Sequence, residues 1–357
     1  MTAILMCVGA LDVEYETQGR LDPAAAELFR GALTRARWIA ESSTAERQTR
    51  EMAHETWLRE IFGVDPAASI GAYAGWSADE GARSAGDLIV RPVHLQLARD
   101  HIVLAPPSDA TLDASEAEAL LATVNDHLTG RDLAIDQLGV GRWRLRCETP
   151  LRLQSWSSAL ASGRNIFDYL PDGEDTWLWR RLHDEIQMLW HDHPVNLARE
   201  ERGESPINGL WIEGRSTLLT AAGAPYSQVL AQTPVVAGLA RAAGVSVREW
   251  TPATGTADRG HEKLASVLAQ AQPVLVEFAL WEQDTTAADW RGVTTGWSAL
   301  AAALAPTLSQ APRTRQLELV LTGRERIVRL GWSPADGWKF WRRFDANRLL
   351  AGARQDD

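Results

Sequence analysis

Cysteine, basic surplus and long apolar runs are all scarce in this sequence, and each scarcity removes a class of protein. Only Cys7 and Cys147 occur, in no C-x-x-C pair. That excludes a disulfide framework and a thiolate zinc site. Acids outnumber bases, 47 to 36, for a formal net charge of −11. With no basic surplus to displace counterions, neither nucleic acid nor an anionic membrane is an expected partner. No stretch approaches the roughly 18 apolar residues of a membrane span. The opening "MTAILMCVGALDVEYE" has no basic n-region and runs at once into acids. It reads as a first β-strand rather than a signal peptide, and the expected compartment is the cytoplasm.

What is present fits a globular chain. Hydrophobic residues make up 45% and charged residues 23% of 357 residues. That length predicts two domains, or one core with a large insertion. Sixteen tryptophans occur. Large aromatics fill cores more often than they line ligand cages, although they also concentrate at binding hot spots.

The segment Ala3–Ala10 reads as a buried strand, and Pro23–Glu60 as helical, with Asp22 and Pro23 starting the first helix and Gly63 ending the second. "IVRPVHLQLARDHIVLAPP" alternates with period two and turns near Asp100, as a hairpin does. "TLDASEAEALLATVNDHLTG" is an amphipathic helix with Asp113 or Ser115 as cap and Gly130 at its end. "LAIDQLGVGRWRLRCETP" gives two strands broken at Gly139 and Gly141. In "DTWLWRRLHDEIQMLWHDH", Leu178, Leu182, Ile186 and Leu189 share one helical face, and Pro194 stops the helix. "SQVLAQTPVVAGLARAAG" reads as a helix ended by Gly244. "VSVREW", "EKLASVLAQA", "PVLVEFAL", "GWSALAAALAPTL" and "LELVLTG" then alternate strand and helix, and "RIVRLGW" adds a strand. The alternation predicts an α/β core with a mainly parallel sheet. The expected architecture is a core of residues 1–86 and 206–357 interrupted by a smaller α/β domain, 87–205. The charged tail after Trp341 is expected to fray.

Chemistry concentrates in "HDHPVNLAREERGESPINGLWIEG", His191 to Gly214. His191 and His193 stand at a helix end, and a metal site would need further ligands, such as Asp192 or Glu213, that no spacing selects. Capping by His193 and Asn196 around Pro194 explains the stretch better. Arg199, Arg202 and Arg215 have the forked geometry that suits phosphate, but interleaved Glu200, Glu201 and Glu204 suit a solvated charged face equally. "GVGRWR" lacks the strand-to-helix setting of a phosphate loop, and "GLWIEG" has no nucleophilic serine. Cys147, with basic neighbours Arg144 and Arg146, reads as a buried structural thiol.

The same stretch resembles archaeal-type cofactor-independent phosphoglycerate mutases of the alkaline phosphatase superfamily, with a similar His-Pro-Val-Asn, an Arg three residues on, and an apolar strand ending in Gly. "TPVVAGLARAAGVSV", "TPATGTADRGHEKLASVLA" and, upstream, "VHLQLARDHIVLAPPSDATLDASEAEALLATVNDHL" and "GRWRLRCE" extend the resemblance over Val93 to Leu304. The combination is similar to a bacterial branch described as regulatory proteins of RpfE type. The resemblance implies a degenerate alkaline-phosphatase-like core with an inserted substrate-like domain. It also implies a two-metal site of Asp and His with a serine nucleophile, and this sequence departs from that pattern. The first strand has Asp12 nearby but no Asp-Gly pair. Ser42, Ser43 and Thr44 sit in a charged setting read as helical. "VLVEFALWEQDTTAADWRG" offers Glu282, Asp284 and Asp289 without a histidine, and none follows His261. The expectation is a mutase-like pseudoenzyme with no catalytic residues, metal or cofactor. Its candidate ligand pocket comprises His193, Asn196, Arg199, Arg144, Arg164 and Asn208, and its partner is a phosphorylated small metabolite or a protein. The competing readings are a protein-interaction scaffold and an active metal-dependent mutase or phosphatase with replaced ligands.

Overall fold

A computed structural model describes residues 2–11, 23–31, 33–43, 49–66, 68–76, 87–105, 112–215, 223–250, 272–279, 296–304, 308, 316–339, 341, 343–345 and 348–351. They fall into two compact units, residues 1–62 with 223–357, and residues 63–222. The expected boundaries at 86/87 and 205/206 fall inside the second unit. The reason is that Gly209–Arg215 pairs with Leu88–Val93 rather than joining the larger sheet.

Along the chain, the strands are β1 (Thr2–Cys7), β2 (Arg37–Ser43), β3 (Leu88–Val93), β4 (Leu95–Leu97), β5 (Ile102–Leu104), β6 (Leu133–Gly139), β7 (Arg142–Cys147), β8 (Gly209–Arg215), β9 (Gln228–Ala231), β10 (Ser246–Glu249), β11 (Val274–Phe278), β12 (Gln316–Thr322) and β13 (Arg326–Trp332). Among the described residues the helices of eight or more residues are α1 (Pro23–Arg30), α2 (Ala53–Phe62), α3 (Ala114–Leu128), α4 (Thr176–His191), α5 (Pro194–Glu201), α6 (Pro234–Ala242) and α7 (296–304).

Among the described residues the larger unit carries a seven-stranded sheet in the order β10-β9-β11-β1-β12-β13-β2. Its first five strands are parallel, and the β12–β13 and β13–β2 pairs are antiparallel. β11 is buried at every position, as a central parallel strand covered on both faces requires. Phe29 of α1 meets Trp297 of α7 edge-on, with ring centroids 6.0 Å apart, in the core beside the sheet. Two expectations fail here for one reason, tertiary pairing overriding local helical pattern. Arg37–Ser43 lies in a stretch read as helix but is an edge strand on β13, which puts Ser42 and Ser43 on an exposed strand. Gln228–Ala231, read as the start of a helix, is β9 between β10 and β11, and helix begins only at Pro234. The described part of the tail also docks instead of fraying. Phe344 stacks on Phe29 at 4.9 Å, the Arg348 guanidinium lies 4.0 Å over Trp38, and Leu349 is buried. "EKLASVLAQA" lies outside the described residues.

The smaller unit has an antiparallel sheet, β6-β7-β3-β8, and a β4–β5 hairpin. The hairpin turns where expected, with the Ala98 amide donating to the His101 carbonyl. α3 starts at Asp113, whose carboxylate accepts from the Glu116 amide while Glu116 returns the bond, a capping box. α4 presents Trp179, Leu182, Ile186 and Trp190 inward, with Leu178 and Leu189 only partly buried. The tryptophans therefore displace the leucine stripe read from the sequence. Trp190 packs edge-on against Trp143 with centroids 5.9 Å apart, and its indole donates to the Leu120 carbonyl at 3.3 Å. Among the described residues no helix is long and apolar enough to cross a membrane.

Candidate functional site

The stretch from His191 to Gly214 holds more structure than a join. α4 ends at His191, and Pro194 opens a new helix, α5, instead of only stopping the old one. His193 is the N-cap of α5, its Nδ1 accepting from the Val195 amide at 3.2 Å and its Nε2 lying 3.0 Å from Thr123 Oγ1. Burial lowers its pKa, which keeps the ring neutral and able to accept. Asn196 is fully enclosed. It donates to the carbonyls of Trp190 (2.7 Å) and Ile207 (2.8 Å) and accepts from the Ile207 amide (2.8 Å). A single amide thus ties the end of α4, the start of α5 and the approach to β8 together.

Arg199 is buried on the next turn. It donates to Glu116 Oε2 at 2.7 Å and to the Ser205 carbonyl at 2.8 Å. Arg202 reaches the other Glu116 oxygen at 2.5 Å and Glu204 at 2.8 Å. Hydrogen bonding to Arg202 lowers the Glu204 pKa. Arg199 and Arg202, two of the three arginines read as phosphate forks, are therefore engaged by carboxylates of the chain itself.

The other candidates stand on separate elements. Arg144, on β7, pairs with Asp136 at 2.9 Å and lies 3.8 Å from buried Asp87. Arg164 donates to the Tyr169 hydroxyl at 2.8 Å. Asn208 brackets Leu95, accepting from its amide at 2.6 Å and donating to its carbonyl at 2.9 Å. The structure brings His193, Asn196 and Arg199 together on α5 and gives Arg144, Arg164 and Asn208 partners of their own.

The metal alternative for His191 and His193 also finds no ligand set. His191 and Asp192 are exposed, while Glu213 forms an ion pair with Arg91 at 3.0 Å and accepts from the Ser158 amide and hydroxyl. Cys147 is buried, and burial followed by the nearby Asp87 charge pushes its pKa up to about 12, so it stays a thiol. Cys7, on β1, is raised further by burial alone.

The carboxyl ends of the parallel strands are where an open α/β sheet normally takes its ligand. At the ends of β9, β11 and β12 the described residues there bond to one another. Glu277, the penultimate residue of β11, is 2% exposed. Its Oε2 accepts from the amides of Gln232 (2.7 Å) and Thr233 (2.8 Å), and its Oε1 from the Thr233 hydroxyl (2.6 Å). Thr233 is the N-cap of α6. A buried carboxylate therefore holds the helix N-terminus, where a phosphate would otherwise be favoured. Gln232 accepts from the Ala279 amide at 2.9 Å, and the Thr322 hydroxyl donates to the Cys7 carbonyl at 3.3 Å. No group of three or more His, Cys, Asp or Glu side chains among the described residues is placed to hold a metal ion. The described residues do not fit a two-metal centre. Asp12, Thr44, His261, Glu282, Asp284 and Asp289 lie outside them.

Sequence reasoning missed Glu116 and Glu277. Glu116 carried a signal, since Asp113-x-x-Glu116 has capping-box spacing. Glu277 carried one too, as a lone acid in the apolar run "PVLVEFAL".

A mainly parallel α/β unit with a second, smaller α/β unit within its sequence defines the fold class. No protein-family model matches the chain. It is 27% identical over 214 residues to a 2,3-bisphosphoglycerate-independent phosphoglycerate mutase of Methanosarcina mazei, a match covering 57% of this chain and 53% of that protein. The same-named protein of Methanosarcina barkeri is 26% identical over 225 residues, covering 58% and 54%. The chain spans about half the length of these curated relatives. Among solved structures, the PH0037 protein of Pyrococcus horikoshii aligns over 98% of this chain and 92% of its own, with a TM-score of 0.53 and 15% identity. The chain is phosphoglycerate-mutase-like, similar over part of its length to 2,3-bisphosphoglycerate-independent phosphoglycerate mutases.

Proposed function

We propose that this protein is a non-catalytic relative of the phosphoglycerate mutases that acts by binding, in a regulatory role, rather than by turnover. The observation that carries the reading is Glu277. A mutase-like core would use the carboxyl edge of its sheet to gather metal and phosphate, yet this chain directs a carboxylate into the N-terminus of α6 and saturates it with three donors. An anion arriving there would meet like charge. The sequence supports the same reading, because the resemblance calls for histidine ligands late in the chain and none follows His261. Of the described histidines, only His54 belongs to the larger unit.

Within this reading, Arg199, Arg144 and Arg164 serve the architecture first, since each is held by an acid or a phenol of the chain. A phosphorylated metabolite would have to displace those partners. The scaffold reading draws on exposed tryptophan, and burial of Trp179, Trp190 and Trp211 removes three such residues from it.

The test is thermal unfolding with 3-phosphoglycerate, with and without manganese, beside a mutase assay. A ligand at a hundred times its Kd adds about 2.7 kcal/mol to stability, well within reach of a melting curve. The expected result is no turnover and no manganese-dependent shift. A shift that requires manganese, or measurable mutase activity, would overturn the proposal.

A further inference from the structure

We propose that the outward face of α4 is a self-association surface, on which a second copy of this chain docks antiparallel through the same helix. The inward face of α4 is consumed by the core of the smaller unit. Its outward face is a stripe of exposed residues, Trp177, Arg181, Asp184 and Met188. They are spaced four, three and four apart, the spacing of a helix–helix seam. Two of the four are large and apolar, with Trp177 64% and Met188 71% exposed. Isolated exposed hydrophobics are ordinary on a surface, but here they bracket a charged centre on one helix face.

The order of the stripe selects the occupant. In an antiparallel pair of identical helices, residues equidistant from the two-fold axis face each other. With the axis between Leu182 and His183, Trp177 meets the copy's Met188 and Arg181 meets the copy's Asp184. Each contact occurs twice, and each is complementary: an aromatic ring against a thioether, then cation against anion. A parallel copy would set Arg181 against Arg181.

Charges left over within the chain point the same way. Arg180 makes no ion pair among the described residues. Asp184 has only His183 Nδ1 nearby, at 3.9 Å. Glu185 is already served by His127, Arg131 and Arg181. Asp184 is therefore the charge that the copy's Arg181 would complete. A shallow groove of about 730 Å³ runs beside the helix, bordered by Pro171, Gly173 and Thr176 as well as the stripe, and leaves room for an incoming side chain.

A 16-residue helix is about 24 Å long. One helix pair buries less than the roughly 1,200 Å² of a standard stable interface, so the association is weak and reversible. This inference does not depend on whether the protein is catalytic.

Sedimentation velocity of the full chain through the micromolar range tests it. The wild type is expected to shift reversibly from monomer to dimer. R181D and D184R each place like charges across the axis and should weaken the dimer at least about tenfold. An equimolar mixture of the two variants restores both opposite-charge contacts and should recover the dimer. Trp177→Ala should weaken it as well. Circular dichroism establishes that each variant is folded, and D184R, which breaks no close ion pair within the chain, keeps the comparison open if R181D disturbs the helix. A wild type that stays monomeric, single variants that dimerise like the wild type, or a mixture that fails to recover the dimer would each overturn the proposal.

Discussion

Arg199 and Glu116 meet at 2.7 Å with both side chains buried, joining α5 to the first turn of α3. Removing Arg199 leaves buried Glu116 with Arg202 as its cation and strips the Ser205 carbonyl of its donor, which costs more than the pair contributes. Arg199→Ala should lower stability by about 3–5 kcal/mol. Arg199→Lys should recover only part, because an ammonium cannot serve Glu116 and the Ser205 carbonyl with a planar fork. Urea unfolding measures both. A silent Arg199→Ala would return Arg199 to the list of ligand-binding candidates.

Glu277→Ala should cost about 2–3 kcal/mol, since it strips the acceptor from two backbone amides and a hydroxyl at the start of α6. Glu277→Gln, which keeps acceptor capacity through its carbonyl oxygen, should lose less. The ordering of the two variants in thermal melts is the readout.

His54, on α2, is buried, and its Nδ1 has no partner among the described residues. Burial lowers its pKa from 6.5 to about 4. Between those values the unfolded chain binds the proton and the folded chain does not, so stability is full above pH 6.5 and falls as the pH drops towards 4. The contribution lost is about 3 kcal/mol. His54→Leu, an apolar replacement in an apolar site, should flatten this part of the pH–stability curve. An unchanged slope would assign the acid sensitivity to other groups.

Both thiols should be inert in the native protein. Cys7 and Cys147 are buried and held protonated by their surroundings. A chromogenic disulfide reagent at mildly alkaline pH should titrate neither before denaturant is added and both afterwards.

Gly214 sits at φ +149, and a Cβ there would lie 2.0 Å from Ser69 Cβ. Gly214→Ala therefore has to move the segment around Ser69, whose hydroxyl bonds the Glu213 carbonyl. A large fall in melting temperature is expected. Gly139→Ala, with open space around it, should cost little and serves as the control.

The sequence was most legible where local chemistry and tertiary context agree. The helix start near Asp113, Gly63 at the end of α2, the 98–101 turn and the apolar β11 could be read directly. It misled where a strand depends on distant partners. Arg37–Ser43 is extended only because β13 lies beside it, and β13 arrives some 290 residues later. The candidate site divided along the same line. The capping roles of His193 and Asn196 follow from Pro194 and were foreseeable. The partners of Arg199, Arg144 and Asn208 come from Glu116, Asp136 and Leu95, and no local spacing announces them.

β1 lies inside the large sheet, between β11 and β12. A ribosome making this chain delivers Thr2–Cys7 long before its sheet neighbours, which begin at residues 274 and 316. Sheet partners for β3, β6, β7 and β8, by contrast, are all contained within residues 88–215. The smaller unit can close while the apolar first strand still waits with both edges open, a state in which such strands recruit wrong partners. Shortening the chain from its far end should therefore be felt first at its beginning. Loss of β12 leaves β1 with a bare edge, and the expected phenotype is aggregation of the nascent protein rather than a gentle loss of stability.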